Sequence, residues 1–100
     1  MNYIVLDLEW NQSADGKAYT NSRIPFEIIQ IGAVKLDENF SEISQFDRYI
    51  RPAVYTKLHD KVQEILNVTI EELTCIGHDF TYVANDFIRW CGDDYIFCTW

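Results

Sequence analysis

The feature that most narrows the fold is a change of hydrophobic period at Pro52. Before it lie three segments rich in β-branched and aromatic residues, which read as strands. They are Tyr3–Trp10, Phe26–Leu36 ("FEIIQIGAVKL") and about Ile43–Ile50. Asn11–Arg23 is polar with a turn signal at Asp15-Gly16, and Asp37-Glu38-Asn39 is a short turn, so the links favour an antiparallel meander. The first segment is apolar enough to suggest a central strand covered on both faces. Gly32 in the second suggests close approach by another group. The third alternates more and is stopped by Pro52, as suits an outer strand. After Pro52 the period becomes helical. His59–Leu66 is predicted as a short helix with Val62, Ile65 and Leu66 on one face, and Thr69 with Glu72 forms a capping box. Asp79–Cys91 is the best helix, its stripe formed by Phe80, Val83, Ala84, Phe87, Ile88 and Cys91. Gly92-Asp93-Asp94 ends it, and "YIFCTW" begins a fourth strand expected to run to Trp100. The order βββαβ places the helix as a crossover that lets the last strand lie parallel to an earlier one. An α/β mixed sheet results, in one small domain or the N-terminal part of a larger one, since the last strand looks cut rather than finished.

Within the first strand, "YIVLDLEWNQ", two acids interrupt the apolar run. Residues i and i+2 share a face, so Asp7 and Glu9 project together, with Cα atoms about 6.6–6.8 Å apart. Two like charges this close repel unless a cation intervenes. Hard divalent ions take one or two such carboxylates, completed by water and phosphate. The competing reading is two acids that face solvent or pair with a base such as Arg48.

A net charge of −8, from 16 acids and 8 bases, argues against a general nucleic-acid binder, and the bases from Lys17 to Arg89 are scattered without forming a patch. An enzyme whose bound cations supply positive charge locally remains compatible. The hydrophobic content of 48% is ample for a core. No apolar run is long enough to span a membrane, and the N-terminus has no basic leader, so a cytoplasmic location with no membrane partner is expected. Cys75, Cys91 and Cys98 are then reduced packing residues. Tyr82, Phe87 and Trp90 are expected in the core, and His59 and His78 at loops or helix starts.

The residues quoted so far resemble the DEDD superfamily of 3′–5′ exonucleases, of the DEDDh type, which share a ribonuclease H-like fold. "VLDLEW" is similar to the first exonuclease motif, a hydrophobic strand ending in D-x-E. "EIIQIGAVKLD" is similar to the second strand, with Gln30 where a glutamate is usual. "VQEILNVTIEEL" resembles the L-T-G-I-T segment, Ile65 taking the leucine position and Asn67 the glycine. The resemblance implies a ribonuclease H-like mixed sheet of three antiparallel strands, a helix and a parallel strand, here truncated. It implies Asp7 and Glu9 as catalytic metal ligands for Mg²⁺ or Mn²⁺, in a two-ion site of the complete domain. It also implies Trp10, Asn11 and Ile65 as contacts to the substrate, the 3′ end of single-stranded DNA or RNA.

The pattern is incomplete: the second motif's Asp and the H-x-A-x-x-D motif are not in these 100 residues. His59 and His78 do not replace that histidine, because Glu64 and Val83 stand five residues on. This stretch alone is therefore expected to be inactive. The alternative is a non-catalytic interaction module or degenerate fragment that keeps only the D-x-E half-site. Self-association through an uncovered sheet edge is also expected.

Overall fold

The computed structural model describes residues 1–99. Strands β1 (Asn2–Asn11), β2 (Glu27–Leu36) and β3 (Glu42–Tyr49) form the expected antiparallel meander. Helices α1 (Asp60–Leu66), α2 (Ile70–Ile76) and α3 (Phe80–Cys91) follow, and β4 (Tyr95–Cys98) returns parallel to β1. The sheet order is β3-β2-β1-β4, so β1 is interior and β3 an edge. Trp100, expected at the end of β4, lies outside the described residues. The β2–β3 turn is closed by Asp37, whose Oδ1 accepts the N–H groups of Asn39 and Ser41 at 2.8 and 3.0 Å.

Helix α3 covers one face of the sheet. Val83 and Cys91 are buried against Ile4, Ile31, Ala33 and Phe46, with Phe87 and Trp90 flanking the Phe46 ring at 5.3 and 5.6 Å. The expected stripe is wider than the sheet beneath it. Phe80 and Ile88 overhang and remain 50% and 63% exposed. Tyr82 is also solvent-facing, tilted against His78 at 5.3 Å, and Cys75 is exposed, so neither is the packing residue expected.

The second core depends on a bulge. Glu9 pairs with Gln30 but Trp10 pairs with Ile28, leaving Ile29 unopposed in β2. Ile29 is fully buried against Leu58 and Leu73, with Val62, Leu66 and Ile70 around it, so α1 and α2 are anchored at this one point. Burial of each such side chain contributes about 1.5–3 kcal/mol. Thr69 caps α2 as expected, accepting the Glu72 N–H at 3.1 Å. Asn67 ends α1 in the left-handed conformation at φ 54°.

Two buried polar residues, Asn11 and Glu27, face each other across β1 and β2 and hold the segment that leads to α1. The Glu27 carboxylate accepts the N–H groups of Ala53, Val54 and Tyr55 at 2.8, 2.9 and 3.3 Å. Asn11 donates to the Lys57 carbonyl and accepts the His59 N–H, both at 2.9 Å. Arg51 ties the other end, donating to the Thr74 and Gly77 carbonyls and to Asp79.

Candidate active site

Strand alternation sends Ile4, Leu6 and Leu8 toward α3 and leaves Asp7 and Glu9 on the opposite face. On that face α1 and α2 pack beyond Glu9, where Tyr49, opposite Gln30, meets Ile29, Val62 and Leu66, and no helix residue among those described lines the groove over the pair. The expectation that β1 is covered on both faces therefore fails at Asp7, which is exposed because α3 packs on the opposite side. Asp7 is exposed and Glu9 half-buried, so the desolvation cost of a buried acid pair is largely avoided.

The pair looks over a shallow groove of about 300 Å³ floored by β1, β2 and β3. Asp7 is opposite Gly32, and Gly32 is opposite Asp47 on β3. A Cβ added at Gly32 would meet its nearest atom, the Asp7 carbonyl oxygen, at an ordinary 3.5 Å. The glycine thus does not serve a close approach. It leaves the floor open between the two aspartates. Gln30, opposite Glu9, donates from Nε2 to Asp47 Oδ1 at 2.9 Å and fixes that carboxylate.

Arg48 does not neutralise the pair. Its guanidinium lies over the Phe46 ring at 4.8 Å and donates to the Asp47 carbonyl, on the α3 side of the sheet. Among the described residues no cation lies within salt-bridge distance of Asp7 or Glu9. Nor does a third His, Cys, Asp or Glu join them in a group able to hold a metal by protein ligands alone. Two carboxylates on an open face do fit a hard cation that keeps several waters and phosphate oxygens.

The other residues implied by the resemblance are placed less directly. Trp10 points to the opposite face from Glu9, half exposed and tilted against Phe26 at 6.1 Å between ring centroids. Asn11 is fully buried, its amide engaged with Lys57 and His59, which withdraws it from any ligand in this structure. Ile65 stands 69% exposed on α1 and does not line the Asp7–Glu9 groove. His59 caps α1 and His78 lies tilted against Tyr82, as expected of loop and helix-start residues. Gln30 and Asp47 join the site without having been expected there. The period-2 pattern of β2 and β3 was the available signal, once their register is known.

Residues 4–98 match the RNase_T family, described as exonuclease. The chain belongs to the RNase_T exonuclease family. No curated protein matches it by sequence. The fold is that of DEDDh nucleases. It is similar to the nuclease domain of 3′hExo bound to rAMP, at TM-score 0.77 and 21% identity over 98% of this chain and 50% of that one. It is similar also to cell-death related nuclease 4, at TM-score 0.74 and 20% identity over 98% and 34%. A third likeness is to E. coli exonuclease I in complex with a dT13 oligonucleotide, at TM-score 0.70 and 15% identity over 99% and 20%. This exonuclease-family chain thus spans half or less of the length of these structures, and what they share with it is the ribonuclease H-like sheet.

Proposed function

We propose that this exonuclease-family chain contributes the first two metal-binding carboxylates of a 3′–5′ exonuclease acting on single-stranded DNA or RNA ends. The observation that carries the reading is the uncompensated pair. Asp7 and Glu9 share an open sheet face, and no basic side chain among the described residues pairs with them. Asp7 and Glu9 would hold Mg²⁺ or Mn²⁺, and Gln30 keeps Asp47 oriented at the rim of the same groove. Such an ion, when bound, polarises the scissile phosphate and activates water. Neither His59, which caps α1, nor His78, which lies against Tyr82, joins the pair in a metal-holding group among the described residues, so neither is assigned as the general base.

Calorimetric titration of Mn²⁺ into wild type, Asp7→Asn and Glu9→Gln tests this reading. Wild type is expected to bind weakly and both variants to lose binding, with no oligonucleotide hydrolysis by these residues alone. Melting in EDTA should be unchanged or slightly raised in the variants, because removing one charge relieves repulsion. Mn²⁺ binding that survives both substitutions, or a lowered melting temperature in EDTA, would mean that the carboxylates are structural.

A further inference from the structure

The groove over Asp7 and Glu9 has a far rim on β3, and the residues there are arranged with more care than an exposed edge strand requires. Asp7, Gly32 and Asp47 stand in one row across β1, β2 and β3, so all three positions project to the same face. Two strand spacings, about 9.6 Å, separate the backbones of the two aspartates. The position between them carries no side chain, and Asp7, Glu9, Gln30 and Asp47 line one concavity.

Asp47 is exposed, and an exposed carboxylate ordinarily turns freely. Here Gln30 restrains it, donating from Nε2 to Oδ1 at 2.9 Å. Gln30 is opposite Glu9 on one side and Tyr49 on the other, so the bond runs diagonally, from the level of Glu9 to that of Asp7. An amide orients the carboxylate and leaves its charge intact, which a lysine or arginine would not do. No basic side chain lies within salt-bridge distance of Asp47 among the described residues, and its neighbour Arg48 is turned over the Phe46 ring. A restrained, uncompensated acceptor thus faces the pair across an open floor. A hard divalent ion on one or two carboxylates keeps several waters, whose hydrogens point outward and need acceptors. Groups that orient an ion's immediate ligands from behind contribute about ten- to a hundredfold to its affinity.

We infer that Asp47 accepts hydrogen bonds from water carried by a divalent cation at Asp7 and Glu9, and that Gln30 is the positioning residue that holds Asp47 there, an assignment that rests on the pair itself binding the ion. Mn²⁺ is titrated by calorimetry at 0.1 M salt into wild type, Asp47→Ala, Gln30→Ala, Asp93→Asn and Asp7→Asn, with melting in EDTA alongside. Asp47→Ala is expected to weaken binding about tenfold or more. Its charge alone, two strand spacings from a divalent ion in water, would give only about twofold at this salt. Gln30→Ala changes no charge, yet is expected to weaken binding roughly two- to tenfold, because Asp47 must then be ordered when the ion binds. Asp93→Asn, which removes an equal charge before β4 at the far end of the sheet, should stay within about twofold. Melting in EDTA should stay within about 4 °C of wild type for both groove variants, since the Gln30–Asp47 bond is exposed. Gln30→Ala that binds as wild type does, Asp47→Ala weakened no more than about twofold, or a larger fall in melting temperature would overturn the assignment, and loss of binding in Asp7→Asn would leave the carboxylate pair standing. Mn²⁺ binding indifferent to Asp7→Asn, or absent from wild type, overturns both.

Discussion

Replacing Glu27 by Gln is the sharpest test of how the α1 segment is held. In the structure Oε2 accepts the Ala53 and Val54 N–H groups and Oε1 accepts that of Tyr55, all in a site only 8% exposed. A hydrogen bond to an ionised acceptor contributes about 1.5–3 kcal/mol, a neutral one about 0.5–1.5. An amide can keep its oxygen toward Ala53 and Val54, losing about 1 kcal/mol on each bond. Its NH₂ group must then face the Tyr55 N–H, leaving a buried donor unsatisfied at about 1–3 kcal/mol. The net loss is about 3 kcal/mol or more, a large part of the roughly 5–15 kcal/mol typical of a domain. Urea unfolding should show the midpoint falling by about 1–3 M, and the melting temperature should drop by about 12–24 °C. Hydrogen exchange at Ala53, Val54 and Tyr55 should accelerate before the rest of the chain. A Glu27→Gln protein within about 1 kcal/mol of wild type, with those amides still protected, would refute the argument that the carboxylate organises this segment.

Two glycines should respond in opposite ways to alanine. At Gly77 a Cβ would sit 2.6 Å from the Arg51 nitrogen and 2.7 Å from the Leu73 carbonyl oxygen, both backbone atoms, so Gly77→Ala should cost stability at the upper end of about 1–3 kcal/mol or more. Gly32→Ala, whose nearest contact is 3.5 Å, should stay within about 0.5 kcal/mol in the same urea titration. Among the cysteines, iodoacetamide at mildly alkaline pH should label Cys75 and spare Cys91 until unfolding, as read by peptide mass analysis. Burial holds the Cys91 thiol above its ordinary pKa, against a smaller opposite pull from Lys35. That contribution to stability is present below the ordinary thiol pKa and is lost as pH rises through the raised one.

The sequence carries local information well and lateral information poorly, and particular residues show the difference. Alternation in "YIVLDLEW" puts Asp7 and Glu9 on one face, and no knowledge of neighbouring strands is needed to see it. The capping of α2 by Thr69 and the end of α3 at Gly92 are equally short-range. Which side of the sheet α3 covers is a different kind of fact, since it depends on where the crossover lands. The expectation of a strand buried on both faces therefore misjudged the exposure of Asp7. Ile29 and Asn11 show a second limit. One bulged residue in β2 decides that Ile29 anchors α1 and α2, and Asn11 is withdrawn by partners 46 and 48 residues away. Gln30 and Asp47 became recognisable as groove residues only when the register was known.

The parallel pairing of β4 with β1 gives the two chain termini unequal addresses. Met1 lies at the far end, its ammonium paired with Glu38 at 2.7 Å and near Asp94. β4 runs the same way as β1, and its last residue, Cys98, is level with Val5, two residues short of Asp7. The chain leaving β4 is thus delivered toward the carboxylates, Thr99 sharing a concavity with Asp7, whereas an extension before Met1 is held a strand's length away. A polyhistidine purification tag at the C-terminus would bring imidazoles to the ions being titrated and report its own affinity. The same tag at the N-terminus would leave the measurement to Asp7 and Glu9.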